Sequence, residues 1–209
     1  AIPFSVTSIE RSAFYGCSNL TKIFIPNSIT SIGPYAFCHC NKLRKIDIPS
    51  SVTSIEFYAF SDCFSLTEVH LPSSIDLIDE YTFNSCESLK KIKIPSSVKT
   101  IDSYAFYKCI ALEEIDFQKK SSLRSFGYIS FYECSALKKV IFPSSVVAIG
   151  GSSFSKCVQL KKIQIGNSVK FIGSNAFNEC NSLSVVEVPP SVTYFGADPF
   201  DSTTLIVND

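Results

Sequence analysis

The sequence has no methionine, only two histidines and no net charge, with nineteen basic residues balancing nineteen acidic ones in 209. Each shortage excludes something. Charge balance leaves no global field for nucleic acid or an anionic membrane. No apolar run approaches the roughly 18 residues that cross a bilayer, so this segment does not insert into a membrane. No basic stretch followed by an apolar one opens the chain as a signal peptide would. Without methionine, the first residue reads as an internal or processed start. Catalytic phrases are missing too: there is no G-x-S-x-G, no H-E-x-x-H and no glycine-rich phosphate loop. A C-x-x-C pair, the usual grip on zinc, is also absent. Together these shortages predict a non-catalytic protein with no cofactor, no metal and no nucleic-acid partner.

What is present is one phrase, repeated. Phe14, Phe37, Phe60, Phe83, Phe106, Phe131, Phe154, Phe177 and Phe200 step by 23 residues, with a single step of 25. Leu20, Leu43, Leu66, Leu89, Leu112, Leu137, Leu160 and Leu183 keep the same steps, as do Cys17, Cys40, Cys63, Cys86, Cys109, Cys134, Cys157 and Cys180. The unit reads C-x-x-L-x-x-I-x-I-P-x-S-V-x-x-I-x-x-x-A-F-x-x. The long step comes from "FQKKSSL", where "IPSSV" is stretched by two residues, as a loop permits.

Within the unit, "LRKIDIP" and "LKKIKIP" alternate apolar and polar residues and are rich in isoleucine, which predicts a strand with one buried face. Proline closes that strand in six of the units, where its missing N–H does least harm. "SVTSI" predicts a second short strand, and "AFxxC" a helical turn that returns the chain to the next rung. No unit buries its apolar side alone, so the units must stack into one elongated solenoid. With no composition break, residues 1–209 form a single domain of about nine units, partial at its first unit and capped over about 190–209, where the cysteine is replaced and the unit shortened.

This phrase closely resembles the BspA-type (treponemal-type) leucine-rich repeat, known from surface proteins of anaerobic bacteria and from parasitic protozoa. The resemblance covers residues 2–200. It implies a mostly β, right-handed leucine-rich-repeat solenoid with a concave parallel sheet, and adhesion to or recognition of other proteins at a cell surface. The chain then reads as the C-terminal end of a longer array.

The cysteine column has three explanations: metal, disulfides or packing. Ladder thiols 23 residues apart, with two histidines in the chain, do not suit zinc. The tightest cluster is Cys38–His39–Cys40; in an extended segment His39 faces away from both thiols. Stacked rungs bring equivalent Cα atoms within disulfide range, but a uniform column specifies no pairing. A reduced, buried ladder accounts for every copy, because a free thiol packs as a small hydrophobe. Cys38 stands outside the column and is expected to be the exposed thiol.

Function is expected where the copies differ. With Ile23 and Ile25 inward, Lys22 and Phe24 point outward, followed rung by rung by Lys45 and Asp47, Glu68 and His70, Lys91 and Lys93, Glu114 and Asp116, Lys139 and Ile141, Lys162 and Gln164, Val185 and Glu187. These two columns of mixed charge suit a protein partner, such as a host or matrix protein, rather than a phosphate track. The plain alternative is a solvated sheet face. Glu114 and Asp116 are a carboxylate pair, but on an open surface with no pocket to exclude water. Tyr35, Tyr58, Tyr81 and Tyr104, followed by Ile129, Ser152 and Asn175, form another column, read as a self-stacked ladder that stiffens the solenoid. Asn19 opens an N-x-T sequon. Two placements follow: a recognition module at the cell surface or secreted, by resemblance, or a cytoplasmic scaffold whose reduced thiols match its compartment.

Overall fold

The structure, a computed structural model, describes residues 2–208. Each repeat forms one turn of a parallel β-solenoid of about nine turns, and no helix forms among the described residues. Two columns of strands run up the stack. Nine two-residue strands, from Ser8–Ile9 to Tyr194–Phe195, make one column; eight longer strands, from Lys45–Asp47 to Leu205–Asn208, make the other. Register follows the repeat: Ser31 pairs with Ser54, Lys45 with Glu68, and Thr100 with Ser125 across the longer step.

The longer strands hydrogen-bond in twos: Lys45–Asp47 with Glu68–His70, Lys91–Ile94 with Glu114–Phe117, Lys139–Ile141 with Lys162–Gln164, and Val185–Val188 with Leu205–Asn208. Residues 22–24 of the first unit, expected as a strand, form none. The backbone link there is a single bond from the Arg44 N–H to the Thr21 carbonyl at 3.4 Å, too little for a ladder.

The expected helical turn at "AFxxC" is instead a run of tight turns. Ala36 N–H donates to the Gly33 carbonyl at 3.3 Å and Cys40 N–H to Phe37 at 3.1 Å, while Tyr35, Phe37 and His39 donate to the next rung, at Phe57, Ala59 and Ser61. Alternate N–H groups therefore leave the rung, and a helix would have claimed them all. In both turns the third residue has positive φ and the second does not, the signature of a type II turn. The first such column runs from Ser12 through Tyr35, Tyr58, Tyr81, Tyr104, Ile129, Ser152 and Asn175 to Asp198, with φ between 47° and 60°. The second contains Gly16, His39, Asp62, Ser85, Lys108, Glu133, Lys156 and Glu179.

Between strands and turns lies the core. The nine phenylalanine rings stack continuously from Phe14 to Phe200, with centroids 4.8–5.5 Å apart and planes within 15°. Phe37 to Phe177 are fully buried, as are the column leucines from Leu43 to Leu160. The stack passes through the longer step without a break, Phe106 to Phe131 being 4.8 Å; the two extra residues are spent in a turn at Lys119–Lys120.

Polar members of the repeat close carbonyls. Each cysteine from Cys40 onward donates its thiol to the phenylalanine carbonyl of the preceding rung, at 3.1–3.4 Å. The serine before the buried valine or isoleucine does likewise: Ser51 reaches the Ile29 carbonyl at 2.6 Å, and Ser97 that of Ile75 at 2.6 Å.

All nine cysteines are free thiols, and the one exposed is Cys17, not Cys38. Cys17 lies in the first described rung. Cys38 is 3% exposed, with Ser61 and Asp62 of the next rung beside its thiol. Burial pushes the Cys40, Cys109 and Cys180 thiols up to about 12 and raises those of Cys63, Cys86, Cys134 and Cys157 well above the ordinary value.

Candidate recognition face

Strand pleating sets the face. In Lys45–Asp47, Glu68–His70, Lys139–Ile141 and Lys162–Gln164 the outer two residues are exposed and the middle one is buried. Lys91, Lys93 and Glu114 are likewise exposed, and Asp116 is half-buried. Lys22 and Phe24, though outside any strand, face solvent, Phe24 with 63% of its surface exposed. The outward residues thus stand in two registered columns.

Much of the charge in these columns is already paired along the stack. Lys45 Nζ lies 2.9 Å from Glu68 Oε1, and Lys91 Nζ 2.8 Å from Glu114 Oε1. The His70 ring is bracketed by carboxylates, Asp47 Oδ1 at 2.5 Å from Nδ1 and Glu68 Oε1 at 2.9 Å from Nε2. Hydrogen bonding to Glu68 raises the Lys45 ammonium above its ordinary pKa, and Glu114 does the same for Lys91. Exposed pairs of this kind contribute little, because solvent screens them. Among the described residues, Lys93, Lys139 and Lys162 have no carboxylate within ion-pair distance.

The two-residue insertion, read from sequence as a plain loop, adds relief to this face. A cleft of about 530 Å³ opens between the strands Glu114–Phe117 and Lys139–Ile141, lined by Glu114, Asp116, Lys119, Lys120, Ile141 and Phe142, among others. These two neighbouring strands are not paired with one another. Glu114 and Asp116, expected on an open surface, are therefore in the wall of a cleft. The step from 23 to 25 residues was the sequence signal for it.

On the turn side, the tyrosines stack as the sequence suggested. Tyr35, Tyr58, Tyr81 and Tyr104 have centroids 4.3–4.8 Å apart and planes within 12°. The Arg11 guanidinium covers one end, 5.6 Å from the Tyr35 ring, and Tyr128 meets the other edge-on at 5.8 Å. Their faces are spent on each other, which favours a stiffening role. Burial raises the pKa of Tyr58, Tyr81 and Tyr104.

One arrangement departs from the sequence reading. His39 has φ of 60° and is not extended. Its ring does not face away from both thiols: the Cys38 thiol, a His39 ring nitrogen and an Asp62 carboxylate oxygen lie within 4.8 Å of one another.

The repeat and these two faces can be compared with known proteins. A family model described as the BspA type leucine rich repeat region matches residues 7–127 and 118–208, in six copies. The chain belongs to the BspA-type leucine-rich-repeat family. A leucine-rich repeat protein from Bacteroides ovatus is 32% identical over 99% of this chain and 64% of its own, with a TM-score of 0.62. The Treponema pallidum leucine rich repeat protein is 28% identical over 78% of this chain and 72% of its own, with a TM-score of 0.64. A leucine rich cell surface protein from Faecalibacterium prausnitzii shares the fold, with 24% identity over 98% of this chain and 65% of its own and a TM-score of 0.70. The chain thus spans about two thirds of the length of the B. ovatus and F. prausnitzii proteins. No curated protein matches it.

BspA-type repeats are protein-interaction modules and typically non-catalytic. No helix of this chain is long and apolar enough to cross a membrane, among the described residues.

Proposed function

We propose that the domain is a non-catalytic recognition module, displayed at a cell surface, that takes a protein partner on the concave face formed by the longer strands. The observation that carries the proposal is register. Repetition aligns the buried members of every rung, and the same alignment sets the variable outward residues, from Lys22 and Phe24 to Lys162 and Gln164, side by side. Extended solenoid faces bind proteins through arrays of this kind. Bare Lys93 and Lys139, beside the apolar Ile141 and the cleft, give the middle of the face both charge and contact area. Surface display follows the resemblance to the BspA type. One observation favours a second reading, an intracellular scaffold: the thiol column is unpaired and protonated, as a reducing compartment would keep it.

Immobilised host-cell surface and matrix proteins, probed with the domain and with a Lys93→Glu, Lys139→Glu, Ile141→Ser variant, test the proposal. These side chains are exposed and make no ion pair among the described residues, so the variant should fold, as circular dichroism would verify. Saturable binding by the parent and its loss in the variant is the expected result. Undiminished binding by the variant places recognition elsewhere and defeats the assignment to this face.

A further inference from the structure

The turn column that carries Cys38 is polar in every other rung, with Tyr15, Ser61, Asn84, Tyr107 and Tyr132 among its members. A thiol is therefore not what this position needs for packing. The next residue, His39, is one of two histidines in the chain. The residue above it in the following rung is Asp62, whose Oδ2 lies 3.9 Å from His39 Nδ1. All three residues are brought together by turns with positive φ at His39 and Asp62.

We infer that Cys38, His39 and Asp62 form a binding site for a zinc-class divalent cation, with a water in the fourth position. The donor set is one sulfur, one imidazole nitrogen and one carboxylate oxygen, a mixture that suits borderline-soft zinc and that magnesium and calcium do not select. A tetrahedral ion with bonds of about 2.0–2.3 Å holds its ligand atoms roughly 3.3–3.7 Å apart. The three donors lie within 4.8 Å of one another, so closing on an ion takes small rotations. His39 is free to make them, being 44% exposed, and it leaves an entry path from solvent. Cys38 binds as thiolate: a metal–sulfur bond forms and the displaced proton goes to solvent. Thiolate and carboxylate together then cancel the charge of the ion.

The surroundings hold the donors as outer ligands of metal sites do. Ser61 Oγ donates to Asp62 Oδ2 at 2.7 Å, and Asn84 Nδ2 donates to Ser61 Oγ at 2.9 Å, fixing the carboxylate. The edge-on ring of Tyr15 packs against His39, with centroids 5.4 Å apart. With its amide oriented to satisfy both ends, Asn41 donates its nitrogen to the carbonyls of Asp62 at 3.0 Å and His39 at 3.1 Å.

Cobalt(II) titration of the metal-free protein, in a Cys17→Ser background that removes the exposed thiol, is the test. One equivalent should give the visible bands of tetrahedral cobalt together with a near-ultraviolet thiolate-to-cobalt band, and zinc should bleach both. The Cys38→Ser variant should lose the thiolate band. The His39→Ala change, at a half-buried position outside the core, should weaken cobalt by more than about tenfold, which decides the matter if Cys38→Ser does not fold. No cobalt spectrum from the folded protein, or a thiolate band that survives either substitution at full strength, overturns the site.

Discussion

The thiol of Cys109 donates to the carbonyl oxygen of Phe83 at 3.3 Å, and that oxygen also accepts the N–H of Cys86 at 3.3 Å. A carbonyl in the middle of the stack thus has both lone pairs engaged, one from its own rung and one from the next. Cys109→Ala removes the second partner and leaves a small void, while the first bond survives. The expected loss is about 1–2 kcal/mol in urea denaturation. A loss beyond about 4 kcal/mol would mean that the thiol does more than fill space and share an acceptor.

Alkaline pH should unfold the solenoid steeply. The buried thiols of Cys40, Cys109 and Cys180 sit at about 12, against an ordinary 9.0 that they regain on unfolding. Because the folded value is the higher one, their contribution is complete below about pH 9 and is lost as pH climbs toward 12. Within that window each such thiol removes up to about 1.4 kcal/mol per pH unit. Thermal midpoints measured from pH 7 to 11.5 should be flat at first and then fall sharply. A midpoint unchanged to pH 11 would contradict the burial.

Ile129 holds φ of 60°, a conformation that β-branched residues resist by roughly 1–2 kcal/mol. Asn175 occupies the equivalent position at 56° with far less strain. Ile129→Asn should therefore stabilise the protein by about 0.5–1 kcal/mol, and Asn175→Ile should destabilise it by about 1–2 kcal/mol. Equal and small effects of the two changes would dismiss backbone strain as a factor in this column.

A thiol reagent should distinguish Cys17 from its eight relatives. In the native protein one cysteine reacts promptly, identified as Cys17 by peptide mass mapping, and all nine react after denaturation. Prompt labelling of Cys38 would instead mean that its turn opens readily.

How much of this was legible in the sequence depends on what repetition encodes. The stack of Phe14 to Phe200 and the alternation at Lys45, Ile46 and Asp47 recur in copy after copy, so a pattern reader finds them. The tyrosine ladder was legible for the same reason. The turns were not. Tyr35, Tyr58 and Ile129 give no local cue for positive φ, which is imposed by N–H groups reaching the next rung rather than by propensity. The same hidden turn brings His39 toward Cys38, where an extended backbone would point it away. Burial of Cys38 is not legible either, because a residue outside the repeated column can still lie in the interior. The cleft beside Glu114 and Asp116 was hidden because an insertion announces its length and not its shape.

The unbroken ring stack across the two-residue insertion has a consequence for how such chains change over generations. The perturbation is absorbed within the rung that carries it: Phe131 takes up the same relation to Phe106 as Phe37 does to Phe14. Nothing downstream needs to adjust. Duplication or loss of a whole 23-residue unit would be just as local, because the turn N–H groups and the cysteine thiol of each rung reach the same carbonyls on its neighbour. Array length is then a nearly free variable, open to recombination between copies, while the outward positions diverge one rung at a time.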